Sequence, residues 1–321
     1  MKSLKYIALM TAVVFTVTAC GNDPEPDKAA NDVVQEAIVN SSKVLADVDT
    51  LAFSLELGGE SDAAADRKVS LEVDLNGVLD ESDKENPKIS MEVNFTSKTG
   101  KEKVWVNGEM RLFRDGLYLI VNDVKAPEAQ LPPALIGQLV DKWWEMPLPP
   151  NFEDSFVSKD DSSLTDEEKK AKELFEKTRF FTDAEYDGSK KIDGEKTYKY
   201  TVKLDEKAIK EYWEEVVKIS GEENNALFGS FNIDELLEKI SFDGEIFVSI
   251  DTMIMKRLSG TVKNDKPKSS AAAPVDGATP AVNMDEFSFS YTMGDFGVPV
   301  NIERPVGAQM FNLPALLGGG I

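Results

Sequence analysis

Residues 69–95 read VSLEVDLNGVLDESDKENPKISMEVNF, and two runs within this stretch decide the fold. In residues 69–75 and again in residues 89–95, every second side chain is apolar, and the side chains between them are serine, asparagine, aspartate or glutamate. Side chains of a β-strand alternate between two faces, so each run predicts a strand with one face in a core and the other in water. Such clean alternation is typical of an antiparallel sheet with one solvated face.

The same two-residue period recurs through much of the chain. It appears in residues 51–57, 103–122 (as a hairpin), 198–204, 242–250, 254–262 and 287–293. Arg114-Asp115-Gly116 supplies the hairpin turn, and polar segments at 58–66 and 80–87 are expected to be loops. Asp187-Gly188 and Asp193-Gly194 also have the composition of turns. The sequence therefore predicts an antiparallel sheet of roughly eight or more strands.

Helical periodicity precedes this sheet and interrupts it. From about Ala29 to Val48, apolar residues recur three and four positions apart and form one broad stripe. Thr165-Asp-Glu-Glu168 is a capping-box sequence, which predicts a helix to about Phe181. Further helices are expected at residues 133–140, at 205–220 with Asp205 as its cap, and at 232–240. Strands and helices together predict an α+β fold.

The first twenty residues predict export and a lipid anchor. Lys2 and Lys5 introduce twelve mostly apolar residues, 6–17, a length within the ~7–15 residues of a signal peptide and below the ~20 of a membrane span. The run ends in Val-Thr-Ala-Cys-Gly, which resembles the bacterial lipobox, and Cys20 is the one cysteine of the chain. The resemblance implies cleavage before Cys20, acylation of its sulfur and lasting membrane attachment. The alternative is an ordinary signal peptide beside a chance cysteine.

This interpretation divides the chain into segments. We expect residues 1–19 to be a signal peptide and residues 20–28 to be the lipidated cysteine and an extended tether. Residues 29–313 are expected to form a single domain, with a mobile loop at about 263–283 and a flexible C-terminus at 314–321. The protein is then exported and anchored to the cell membrane or the outer membrane. Gly21 after the cysteine favours the outer membrane in bacteria that have one.

The amino-acid composition excludes several kinds of catalytic and metal-binding site. The chain has no histidine and one cysteine, which excludes a Ser/His/Asp triad, a Cys/His pair, an internal disulfide and histidine-ligated metals. We expect no enzyme and no cofactor. Its formal net charge of −22 repels phosphate, so nucleic acid is not an expected partner.

A calcium site is the one metal alternative that the sequence offers. The acidic residues that suggest it are Asp160, Asp161, Asp166, Glu167 and Glu168. They do not form an Asp-x-Asp-x-Asp-Gly loop, and runs of charge are usually solvated, so we expect no metal.

Three phrases carry a family resemblance. DGEKTYKYTVKLDEKAIKEYW (193–213), DGEIFVSIDTMIMKRLSGTVK (243–263) and FGVPVNIERP (296–305) follow a leading helix and an up-and-down run of strands. This order resembles the half-barrel lipoproteins related to LolA/LolB and the mycobacterial LppX/LprG type, over most of residues 30–306. The resemblance implies one large curved antiparallel sheet with helices packed against its concave face. It also implies carriage of acyl chains or lipidated molecules in the hollow between them. The acidic insert at 153–168 and the loop at 263–283 depart from that pattern.

A ligand-binding hollow is the functional hypothesis. Its predicted lining is Leu71, Val73, Met91, Phe95, Met110 and Leu119, with Trp143 or Trp144 near its mouth. Adjacent tryptophans on an extended segment face opposite ways, so one can be core while the other covers a pocket. The alternative is that both tryptophans fill the ends of the core. Expected partners are the membrane, through the acyl chains on Cys20, and a lipid or lipidated molecule. The alternative is an envelope structural or interaction lipoprotein whose filled core holds no ligand.

Overall fold

A computed structural model describes residues 25–63, 67–148, 164–228, 233–238, 240–264 and 285–312. Within these residues, twelve strands form one open sheet in the order β12-β6-β5-β4-β3-β2-β1-β11-β10-β9-β8-β7. Neighbouring strands are antiparallel, apart from the parallel pair β12–β6. The predicted signal peptide, Cys20, the acidic residues 149–163, the loop at 265–284 and the C-terminus from 313 lie outside the described residues.

The strands and helices are numbered along the chain. The strands are β1 (Thr50–Ala63), β2 (Arg67–Asp80), β3 (Lys88–Thr99), β4 (Glu102–Phe113), β5 (Gly116–Lys125), β6 (Trp143–Met146), β7 (Phe181–Ile192), β8 (Glu195–Leu204), β9 (Ile240–Ser249), β10 (Met255–Asn264), β11 (Glu286–Phe296) and β12 (Gln309–Met310). The helices are α1 (Ala30–Asp47), α2 (Pro133–Leu139), α3 (Asp166–Lys177), α4 (Glu206–Phe228) and α5 (Ile233–Leu237). The predicted α+β fold with a large antiparallel sheet is confirmed.

Strand register aligns apolar side chains into rows across the sheet. One row of cross-strand neighbours contains Tyr186, Tyr200, Ile246, Leu258, Tyr291, Leu55, Leu75, Val93, Gly108 and Val121. Residues directly opposite on antiparallel strands lie on the same face. The predicted alternation therefore places the apolar side chains on one face of the sheet. We call that face the apolar face and the opposite one the polar face.

Helix α1 covers one part of the apolar face. Its stripe Val33, Val34, Ala37 and Ile38 is buried against Tyr198, Tyr200, Val202, Ile246 and Val248 of β8 and β9. Each fully buried aliphatic side chain contributes about 1.5–3 kcal/mol. Hydrogen bonds fix the helix, since the Met255 amide donates to Ser41 Oγ at 2.8 Å and Asn40 Nδ2 donates to the Met253 carbonyl at 3.1 Å. The main core therefore lies between α1 and the β7–β10 part of the sheet.

The remaining helices are distributed unevenly over the sheet. Helix α3 has the predicted capping box, in which the Glu168 amide donates to Thr165 Oγ1 at 3.2 Å, and it lies beside α4. The α4 helix is capped as predicted, because the Ala208 amide donates to Asp205 Oδ1 at 2.9 Å. Short α5 contacts β9, while α2 contacts β5 at the other side of the sheet.

Several predicted boundaries are wrong. Residues 58–63 are strand rather than loop, because their backbone pairs with β2 and, up to Glu60, also with β11. Helix α3 ends at Lys177, four residues before the predicted Phe181, and α4 continues to Phe228 instead of ending at Ser220.

Strand β7 was not predicted, and Asp187-Gly188 lies inside it instead of forming a turn. It is an edge strand with two register irregularities and with positive φ at Asp183 and Gly188. These features break the two-residue period on which strand prediction depends. The Asp193-Gly194 turn is present, with φ of 49° and 86°.

The C-terminal segment crosses the polar face and ends at the β6 edge. Ile302 is buried with Phe113 and Tyr118. The Arg304 guanidinium pairs with Asp115 and lies 5.2 Å from the Phe113 ring centroid. The chain then pairs with β6 through β12 and places the Phe311 ring against Trp144 on the apolar face. The C-terminal segment thus ties the two faces together at this edge.

Candidate functional site

Seven of the eight predicted ligand-binding residues share the apolar face. Met91, Met110, Leu119 and Trp144 are successive cross-strand neighbours on β3, β4, β5 and β6. Val73 lies opposite Phe95 in a second row, and Leu71 lies opposite Ser97 in the next. The eighth, Trp143, lies on the polar face, where the Arg111 guanidinium is 4.8 Å from its ring centroid.

Trp144 closes the apolar face at the β6 edge. It is 6% exposed, and its indole nitrogen donates to the Leu139 carbonyl at the end of α2 at 3.2 Å. Its ring meets Phe311 edge-on with 5.9 Å between centroids. Burial and the hydrogen bond of its indole N–H fix the Trp144 ring, which therefore forms a rigid wall at this edge of the apolar face. The two tryptophans therefore face opposite ways, as the sequence predicted.

The apolar face is covered unequally. On β8 and β9, Tyr200, Ile246 and Val248 are all 0% exposed beneath α1. On β2–β5, the predicted residues Leu71, Val73, Met91, Phe95, Met110 and Leu119 are all only half-buried. The same apolar rows thus run from a closed core into a part of the sheet whose side chains keep solvent contact. We call the apolar face of β1–β5 the open apolar face.

Several residues of the open apolar face were not among the predicted lining. Leu57 and Val106 lie in the row of Val73 and Phe95, and Leu55, Leu75 and Val93 form the row between it and that of Met91; all five are half-buried. Their two-residue period marked them as strand residues. Only the register, however, aligns them with Met91 and Phe95.

An aromatic ring separates the open apolar face from the core. Phe242 of β9 lies over two glycines, Gly244 and Gly260, and a Cβ built on either would come within 2.4 Å of its ring carbons. The ring stacks on Phe289 at 6.1 Å and lies 6.3 Å from Phe181. Glycine is required here because the aromatic ring occupies the space above the strands. Gly244 and Gly260 therefore make room for the Phe242 ring, which lies between the open apolar face and the core under α1.

Four grooves described by the structure do not coincide with the predicted hollow. One of about 860 Å³ is open and is lined mainly by polar-face residues such as Thr201, Glu245, Ser259 and Thr261. Grooves of about 550, 380 and 330 Å³ lie elsewhere, and Leu71 is the one predicted residue that lines any of these four. The candidate site is thus an open surface rather than one of these grooves.

One buried polar atom lies in the core beside the open apolar face. Among the described residues, the Tyr200 hydroxyl is buried without a hydrogen-bond partner. Burial, with smaller contributions from Tyr198 and Tyr186, raises the pKa of this phenol above its usual range. It therefore stays protonated and neutral at physiological pH. The aromatic rings of Tyr186, Tyr198 and Tyr200 lie 5.8–6.4 Å apart.

A charged cluster stabilises the opposite face at the ends of β8, β9 and β10. Lys256, whose side chain is 8% exposed, lies 3.0 Å from Glu195 Oε2, and the Ser249 hydroxyl donates to the same carboxylate. Burial raises the pKa of Glu195, but hydrogen bonds from Ser249 and Lys256 outweigh it and leave the pKa below its ordinary value. Ser249 is fully buried, so this cluster has a structural role.

The described residues contain neither a cluster of potential metal ligands nor a helix that could span a membrane. No group of three or more potential metal ligands occurs among them. Of the residues that suggested calcium, Asp160 and Asp161 lie outside the described residues, and Glu168 instead closes the α3 capping box. No described helix has both the length and the apolar character needed to cross a bilayer.

The chain is similar to known proteins in fold rather than in sequence. No protein-family model matches it, and no curated protein matches it significantly. Its fold is similar to the lipoprotein LppX of Mycobacterium tuberculosis, at 13% identity over 87% of this chain and 100% of that one, with a TM-score of 0.37. It is also similar to LprF from Mycobacterium bovis, at 10% identity over 88% and 99% of the two chains, with a TM-score of 0.38.

A third similar structure is a DUF1329 family protein from Desulfovibrio piger, at 13% identity over 87% and 96% of the chains, with a TM-score of 0.20. LppX is one of the proteins named in the sequence-based resemblance. At this level of identity the likeness concerns the fold alone.

Proposed function

We propose that this chain is a cell-envelope lipoprotein that binds an apolar ligand, such as a lipid, on the open apolar face. The observation that carries the proposal is the half-buried state of the apolar rows on β2–β5, beside the same rows fully buried under α1. Monomeric soluble proteins rarely expose large contiguous apolar surface, and where they do the surface usually binds something.

The proposed site has two walls and a floor. Its floor consists of Leu71, Val73, Met91, Phe95, Met110 and Leu119. Trp144 and Phe311 form the wall at the β6 edge, and the Phe242 ring forms the wall toward the core. Methionine side chains are flexible and suit irregular acyl chains. No charged side chain belongs to this floor, so the ligand part that lies here is hydrocarbon.

Anchoring is the second part of the proposal. We place the acyl chains on Cys20, after removal of residues 1–19, and residues 20–28 act as a tether to the domain at 29–313. The protein is then held at the cell membrane or the outer membrane. Trp143, on the polar face beneath Arg111, is not part of the proposed site.

A structural or interaction lipoprotein without a ligand is the second candidate function. It is favoured by the four grooves described above, because Leu71 is the one residue of the predicted lining that borders any of them. In that case the open apolar face contacts another protein, and no small apolar molecule co-purifies.

Substitution within β3 separates the two candidates. In Met91→Trp, the indole fills the floor and displaces ligand, so native mass spectrometry of the unlipidated protein should show less bound lipid. Thr96→Trp is the matched control, because it lies on the same strand but on the polar face. Equal lipid occupancy in both variants, with both folded by circular dichroism, would refute binding at this face.

A further inference from the structure

The part of the chain that the structure describes ends at the border of the open apolar face. The Phe311 amide donates to the Glu145 carbonyl of β6 at 2.9 Å, and the Phe311 ring packs edge-on against Trp144. The next residue, Asn312, is exposed and is the last one described. The residues that follow Asn312 therefore start beside the Trp144 wall.

Two rows of apolar side chains lead from this point across the sheet. One row consists of cross-strand neighbours on β6, β5, β4, β3 and β2, namely Met146, Leu117, Leu112, Ile89 and Leu79. All five are half-buried. The row that contains Trp144, Leu119, Met110 and Met91 lies beside it on the same face. Both rows begin at the β6 edge, where Phe311 is seated.

Residues 313–321, which read LPALLGGGI, have a composition that suits such a surface. We call these residues, which lie outside the described part of the chain, the tail. They contain no charged and no polar side chain, although 29% of the residues of the whole chain are charged. Their large side chains are those of Leu313, Leu316, Leu317 and Ile321. Apolar side chains are stabilised by leaving water, and the floor of the open apolar face offers them an uncharged surface.

The tail is also long enough to cross that floor. Neighbouring strands of a sheet lie about 4.8 Å apart, so the four steps from β12 to β3 cover about 19 Å. An extended chain spans at most about 3.3–3.6 Å per residue, so Leu317, six residues after Phe311, extends up to about 20 Å from it. Leu316 and Leu317 can therefore reach Met110 and Met91.

We propose that the tail lies across the open apolar face as a displaceable cover, with Leu316 and Leu317 against Met91. The inference rests on the proposed ligand site and adds its regulation, because an acyl chain must displace the tail to occupy this part of the floor. Ordering the tail costs conformational entropy, which keeps the contact weak enough for exchange. A cover closed in nine of ten molecules weakens the apparent affinity for a ligand about tenfold. The row of Val73 and Phe95 lies two rows further along the strands and stays uncovered.

Disulfide cross-linking tests the contact. Cys20 is the one native cysteine, so the unlipidated protein with Cys20→Ser contains only introduced thiols. Leu317→Cys is combined either with Met91→Cys on the apolar face or with Glu92→Cys, the next residue of β3, on the polar face. The two β3 positions are almost equally far from the β6 edge, and Glu92 is the more exposed, so accessibility alone favours the control. Under mild oxidation, the combination with Met91→Cys should nevertheless form an intramolecular disulfide severalfold faster.

Two results of the cross-linking would overturn the contact. The first is equal rates, or a faster reaction of the combination with Glu92→Cys. The second is a disulfide between two molecules, visible as a dimer on a non-reducing gel, which would identify a second copy of the chain as the source of the tail.

Fatty-acid binding tests the covering role. Removal of residues 313–321 keeps Phe311 on Trp144 and should lower the Kd of the fluorescent fatty acid cis-parinaric acid severalfold. Leu316→Asp combined with Leu317→Asp should lower it as well, and a Kd unchanged in both variants would overturn the cover while leaving the ligand site in place. Cross-linking at Met91 in a protein that binds no fatty acid, with or without the tail, would refute the ligand site and support the tail contact. The two proposals therefore fail separately.

Discussion

Two valines on the same face test whether the apolar rows are closed on one side of the sheet and open on the other. Val248 of β9 is 0% exposed beneath α1, whereas Val73 of β2 is half-buried on the open apolar face. Both lie in strands with a neighbour on each side. Loss of intrinsic β-propensity in Val→Ala is therefore similar at the two positions and cancels in the comparison.

The magnitude follows from burial. Val→Ala removes two methyl groups, worth about 0.8 kcal/mol each when buried. Under α1 the space left behind adds about 1 kcal/mol, at ~24 cal/mol per Å³ of cavity. We therefore expect Val248→Ala to lower the free energy of unfolding by about 2–3 kcal/mol. Val73→Ala should cost about 1 kcal/mol or less, because no closed cavity forms there.

The assay is urea unfolding, followed by tryptophan fluorescence and circular dichroism. The protein used carries no acyl chains on Cys20 and has been stripped of any bound lipid. A difference of more than about 1 kcal/mol between the two variants supports the open apolar face. An equal, large loss of stability for Val73→Ala and Val248→Ala would refute it. In that case the β1–β5 part of the sheet is a filled core like the part under α1.

Three further predictions concern the anchor, a charged pair and the aromatic wall. Cys20→Ala should leave the chain unprocessed or release it from the membrane fraction, and fatty-acid labelling equal to that of the parent would show that Cys20 is not the anchor. Since the folded-state pKa of Glu195 lies below its ordinary value of 4.5, its stabilising contribution is present above that pH and decreases as the pH falls through the folded pKa. Glu195→Gln should therefore flatten the dependence of unfolding free energy on pH between about pH 5 and pH 3, and identical profiles for the two proteins would contradict this. Gly244→Ala should destabilise by about 1–3 kcal/mol, because its methyl group overlaps the Phe242 ring, and Phe242→Leu should relieve most of that cost in a double-mutant cycle.

The two-residue hydrophobic period predicted most of the strands, because the alternation is contained within each strand's own sequence. Residues 69–75 and 89–95 require no knowledge of their neighbours to be recognised as strands with one buried face. Strand β7 escaped prediction because positive φ at Asp183 and Gly188 interrupts its period. The end of β1 was not predicted because its small and acidic residues have low β-propensity. Backbone pairing with the neighbouring strands keeps them in the sheet.

The candidate site was predicted only in part, because the sequence does not show which part of the sheet a helix covers. The sequence identified apolar residues on one face of each strand, and register does place Met91, Met110 and Leu119 side by side. Which part of that face is covered depends on where α1 packs. That in turn depends on contacts with Met253 and with Met255 at the start of β10, more than two hundred residues later in the chain. The Phe242 wall was missed because two glycines give no apolar signal until a ring is seen above them.

Native mass spectrometry of the purified, unlipidated protein is the most direct test of ligand binding at the open apolar face. The proposal predicts an apolar molecule bound to the parent protein, retained in Thr96→Trp and lost in Met91→Trp, with all three proteins folded. A parent protein that carries no bound molecule and takes up none from added phospholipid or fatty acid would contradict it.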